Sequence, residues 1–99
     1  MMIIALERPV PGVADQAFTP ELLREEAACA WKLHQAGVVR ELYFRADREE
    51  AVLLLEAADV AAARQALSAL PLVREGLIDF ELVPLRAYPG FARLFGTPG

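Results

Sequence analysis

The residues of this chain best suited to chemistry are carboxylates set among apolar β-formers. In Ile78-Asp79-Phe80-Glu81-Leu82, Asp79 and Glu81 stand two apart. On a strand both point to one face, while Ile78, Phe80 and Leu82 point to the other. Glu41, Tyr43 and Arg45 repeat that spacing in an earlier stretch. Burial in an apolar chamber raises a carboxyl pKa toward the range where it works as a general acid or base near neutral pH, and paired acids can divide the roles. The expected catalytic set is therefore Asp79, Glu81 and Glu41, with Asp79 or Glu81 as the base. Tyr43 and Arg45 are the expected substrate-binding residues, Arg45 holding a substrate carboxylate. The plainer alternative is that Arg40 or Arg45 pairs with these acids across strands and nothing reacts.

Other chemistries lack their residues. The chain has no Gly-x-Gly-x-x-Gly, P-loop, Cys-x-x-Cys or His-Glu-x-x-His pattern, so no cofactor is implied. Cys29 is the single cysteine and His34 the single histidine, which is too few for a metal site of the usual kind. Ser68 is the sole serine and lies on a helix, which argues against a hydrolytic triad. A net charge of −4 argues against nucleic acid. No apolar run approaches the roughly 18 residues of a membrane span, so the chain reads as cytoplasmic, without a membrane partner.

The elements that position these residues are legible in order. Residues 1–7 form a nearly continuous apolar run that reads as a strand buried on both faces, and a loop with Pro9, Pro11 and Gly12 follows. Thr19 is an N-cap with Pro20 at the first helical position, and Gly37 closes that helix. Leu22, Leu23, Ala27, Cys29, Ala30, Trp31 and Leu33 are assigned to its buried arc, which Glu26 and His34 interrupt. Residues 38–45 read as a second strand with Val39, Glu41, Tyr43 and Arg45 on one side and Val38, Arg40, Leu42 and Phe44 toward the helices. A charged turn leads to a third strand over 51–57. Asp59 caps a second helix that Pro71 stops, and the last strand covers about 77–85.

The order β-α-β-β-α-β is the ferredoxin-like α+β arrangement: one domain over 1–99, with a four-stranded antiparallel sheet and two helices on one face. Apolar residues make up 56% of the chain even without glycine, above the usual ~45–50% of a soluble domain. Two helices cover one sheet face only. Pairing the other faces of two copies buries the excess and encloses a semi-polar chamber, so a homodimer or higher homo-oligomer is expected. The tail, 86–99, carries Tyr88, Phe91, Leu94 and Phe95 and is expected to dock on the sheet edge or the partner subunit.

Leu70-Pro71-Leu72, Ile78-Asp79-Phe80-Glu81-Leu82, Leu85 and Pro89 resemble the end of the muconolactone isomerase-like group of dimeric α/β-barrel proteins. The similarity runs back more weakly to about Pro20, through Glu26, Leu33, Gly37, Arg40 and Leu42. The resemblance implies the same face-to-face barrel. It also implies a cofactor-free proton shift within a small unsaturated carboxylic acid or lactone. The chain departs from the family in an almost wholly apolar first strand and in Tyr88, which stands before Pro89 where a histidine is expected. The alternative function is a non-catalytic small-ligand-binding or assembly module.

Overall fold

The computed structural model describes residues 1–96. Four strands, β1 (Met2–Pro9), β2 (Val39–Phe44), β3 (Ala51–Glu56) and β4 (Ile78–Pro84), form one sheet of order β2-β3-β1-β4. Every neighbouring pair is antiparallel. With helices α1 (Pro20–Gln35), α2 (Val60–Leu67) and α3 (Pro71–Arg74), the arrangement is the expected ferredoxin-like one.

Period-two alternation decides which face each strand buries. Ile3 and Ala5 of β1 pair with Leu55 and Leu53 of β3. All four lie under the helices with Val39, Ile78 and Phe80. Full burial of a side chain such as Ile3 or Leu55 contributes about 1.5–3 kcal/mol. The helix ends follow their caps: Thr19 Oγ1 accepts from Leu22 N–H at 3.2 Å, and Asp59 Oδ1 accepts from Ala62 N–H at 2.8 Å. Gly37 takes a φ of 80°, a conformation that costs a side-chain-bearing residue, at the turn into β2.

Four details differ from the sequence reading. A bulge between Val39 and Glu41 sets Val39 opposite Leu55 in the core, so Val39 does not share a face with Glu41 and Tyr43. Trp31 is 59% exposed, because nine residues after Leu22 place it half a turn away from the buried side of α1. The second helix ends at Leu67, and Pro71, instead of stopping it, opens α3 as its first residue, where a missing N–H costs nothing. Finally, β1 continues past Glu7 and so takes in Arg8 and Pro9.

The sheet face away from the helices carries Met2, Ile4 and Leu6 of β1 and Val52 and Leu54 of β3, all only partly buried. After β4, the Leu85 N–H donates to Met2 O at 2.9 Å and the chain leaves the sheet. A single 3-10 segment, Gly90–Leu94, organises the tail, with the Tyr88 and Phe91 rings edge to face at 5.0 Å. Gly90 is buried because the Tyr88 ring lies over it, where a Cβ would collide. Phe91, Leu94 and Phe95 are between 67% and 86% exposed. The radius of gyration is 16.6 Å, against roughly 13 Å for a compact chain of this length, because the tail projects. Residues 97–99 of the expected tail lie outside the described residues.

Candidate functional site

The five residues singled out by strand spacing lie apart within one chain. Glu41 and Tyr43 are on β2, and the Tyr43 hydroxyl donates to Glu41 Oε1 at 2.5 Å. That bond, reinforced by the carboxylate's charge, holds the Tyr43 phenol above its ordinary pKa and so protonated. Asp79 and Glu81 are on β4 at the opposite edge of the sheet. Three inter-strand spacings, roughly 14 Å, separate the two groups. Each acid on β4 has a cation: Arg8 reaches Glu81 at 2.5 Å, and Arg64 reaches Asp79 at 3.7 Å. Arg45 belongs to neither group. It makes two bonds to Asp47, at 2.8 and 2.6 Å, in the 46–50 turn, and the pair holds the Asp47 carboxyl below its usual pKa. The depression beside Arg45, about 350 Å³, is lined by residues of that turn, where Arg45 pairs with Asp47 and Arg48 with Glu50.

A larger cavity lies on the other side of the sheet, between the strands and α1. Its volume is about 640 Å³, within the usual range for a small-molecule pocket. Apolar side chains dominate its wall, among them Phe18, Leu42, Phe44, Leu70 and Phe80. Four acids line it, of which Asp15 and Glu49 are exposed at the rim and two are partly buried, Glu7 from β1 and Glu26 from α1.

Each of the two is fixed by one backbone bond. Glu7 Oε1 accepts from Ala51 N–H at 3.0 Å. Glu26 Oε1 accepts from Leu72 N–H at 2.9 Å. The second bond has a local cause: α3 has no side-chain cap of its own, so the orphan donor at its start is met by a carboxylate from α1. No described residue donates to the second oxygen of either group, which leaves both free for a ligand.

Electrostatics couples the pair. Burial pushes both carboxyls above the ordinary glutamic acid range, and in each case the backbone bond opposes this only in part. Beyond that, Glu49 and Glu50 raise Glu7 further, whereas Glu26 feels the charge of Glu7 upward and that of Arg74 downward. Two like charges sharing a partly buried apolar site disfavour double ionisation, so the pair favours one ionised and one neutral carboxyl.

The sequence reading passed over Glu7 by ending the strand there as apolar. The signal was available: Ile3, Ala5 and Glu7 alternate, which places Glu7 on the buried face. Glu26 stood out as an interruption of the apolar arc, without an assigned role. His34, the other interruption, donates from Nδ1 to Val39 O at 2.9 Å and ties the end of α1 to β2. Cys29 meets Ala69 O at 3.5 Å beside the core. No cluster of metal-binding side chains occurs among the described residues. No helix among them is long and apolar enough to cross a membrane.

Comparison with known proteins follows the fold. The family model for muconolactone delta-isomerase matches residues 3–90. The crystal structure of a muconolactone isomerase superposes with a TM-score of 0.70 at 24% identity, covering 90% of this chain and 92% of that one. No curated protein sequence matches the chain.

Proposed function

The chain belongs to the muconolactone delta-isomerase family, and on that premise we propose that it moves a proton within a small unsaturated lactone or related carbonyl compound, in the cavity that holds Glu7 and Glu26. One observation carries this reading: two partly buried, coupled carboxyls, both with raised pKa, face an apolar pocket of about 640 Å³. The ionised carboxyl of the pair takes the proton from the carbon beside the carbonyl. The released electron pair spreads into a dienolate, and the neutral carboxyl donates a hydrogen bond to its oxygen. The group that took the proton then delivers a proton at the far carbon of the conjugated system. The double bond has moved, both side chains are back in their starting states, and the balance needs neither a metal nor a redox group.

A second reading keeps the chemistry on the open sheet face. The Tyr43–Glu41 bond supplies a protonated donor there. A second copy, paired through Ile4, Leu6, Val52 and Leu54, would bring its Asp79 and Glu81 within reach. Self-association through that face, in the cytoplasm, is part of both readings, because a patch of this kind is costly in water.

One experiment separates them. Isomerisation of a β,γ-unsaturated lactone in D2O, followed by ultraviolet absorbance and deuterium uptake, is compared across single amide variants. Glu26→Gln and Glu7→Gln are expected to lose about 10²–10⁴ in rate, with Glu41→Gln, Asp79→Asn and Glu81→Gln near the parent. The opposite ranking moves the chemistry to the open face. Parent-like rates in all five leave the carboxyls structural and favour a binding or assembly module.

A further inference from the structure

The charged side chains that line the cavity are all acidic. Besides Glu7 and Glu26, its wall includes Asp15 and Glu49, and among the described residues no arginine, lysine or histidine lines it. The nearby cations stand outside the wall and are paired with other acids, Arg74 acting on Glu26 only at a distance. Arg45 is held by Asp47, Arg48 meets Glu50 at 3.1 Å, and Arg74 lies between Glu25 and Glu75. A ligand carboxylate entering here would lose its water and gain no counter-charge, and four acids would repel it. An uncharged ligand meets no such cost. Its apolar body fits the phenylalanine and leucine wall, and its carbonyl oxygen finds the proton of a neutral carboxyl.

We propose that the cavity selects an uncharged, largely apolar carbonyl compound, a lactone or enone without a free carboxylate, and discriminates against carboxylate-bearing lactones. This rests on the proton-transfer reading for the location of the site, but concerns which compounds enter it. The mechanism points the same way. One negative charge must travel from the ionised carboxyl to the dienolate oxygen and back, and a substrate carboxylate would add a second charge to an apolar site. Arg45, the residue that sequence spacing suggested for holding a substrate carboxylate, is absent from the lining.

Three probes built on one β,γ-unsaturated γ-lactone ring decide the matter: a methyl substituent, an acetic acid arm, and the methyl ester of that arm. Affinity is measured by calorimetry on the full-length protein at pH 7, and isomerisation by absorbance. The methyl and ester compounds are expected to bind at least tenfold more tightly than the acid. Asp15→Asn and Glu49→Gln, which remove charge from the wall, should narrow that gap by improving the acid alone. Tighter binding of the acid, equal binding of acid and ester, or no binding of the ester at millimolar concentration each overturns the proposal. Selective binding of the uncharged compounds without isomerisation or deuterium exchange upholds it and instead removes the proton-transfer reading.

Discussion

Replacing Glu26 tests whether its carboxylate is disfavoured by the fold, as that of a proton-transfer group in an apolar site must be. Because burial raises its pKa, the folded protein holds the Glu26 proton more tightly than the unfolded chain does. The stability associated with that proton is fully present below about pH 4.5, the ordinary value, and is lost as pH rises through the folded pKa. Glu26→Gln imitates the protonated form and still accepts from Leu72 N–H. Its Tm should match the parent near pH 3.5, rise above the parent as pH increases, and level off above the folded pKa. Glu26→Ala is also uncharged but removes the acceptor at the start of α3. A lost hydrogen bond costs about 1 kcal/mol net, and alanine's better helix propensity returns a few tenths. In a domain of 99 residues each kcal/mol is worth roughly 4–8 °C. The alanine variant should therefore melt a few degrees below the glutamine variant, by the same margin at every pH. Calorimetric scans from pH 3 to 8 at fixed protein concentration read both effects. A glutamine variant at or below the parent Tm at pH 7 would refute the reasoning, since the charged form would then be the one the fold prefers.

The other predictions concern assembly and pH. Leu54→Lys, on the open sheet face, should shift the protein toward monomer in light scattering while circular dichroism keeps the native signal; an unchanged mass would place the contact elsewhere. Leu53→Lys, one residue away but under the helices at 3% exposure, should instead prevent folding. Ending the chain before Phe91 should lower Tm by several degrees and weaken association, because Phe91, Leu94 and Phe95 have little to pack against in a single chain; an identical melting curve would free the tail from any part in assembly. The rate of isomerisation should fall on the acid side as the ionised carboxyl of the pair takes a proton, at a pH above the ordinary glutamic acid range. Glu7→Gln should move the titration of Glu26, read by NMR, to lower pH, because the Glu7 charge is one of the causes that raise it, and an unmoved titration would mean the two groups act independently.

How far the sequence alone reaches follows from the range of the interactions involved. Caps and alternation are local, so Thr19, Asp59, the four strands and their order were all legible, and with them the α+β fold. The bulge after Val39 is set by pairing with β3, and the angular position of Trp31 matters only once a neighbour is in place. Each of those misassignments came from extending a local period into a tertiary setting. The site proposed in the cavity lay beyond the same limit. Spacing finds carboxylates that share a face of one strand, as Asp79 and Glu81 do, but that face is the solvent-facing one in a single chain, and both acids carry cationic partners there. Glu7 and Glu26 sit on different elements, 19 positions apart in the sequence. They come together only because β1 ends beside the early turns of α1 and α3 needs a cap from outside itself. Two residues break the buried pattern of their own elements at one place in the fold, and each break is the cost that raises a carboxyl pKa. On the proposed reading, a carboxylate on a buried face, such as Glu7 after Ile3 and Ala5, is thus a stronger pointer to proton chemistry than a pair on an open one.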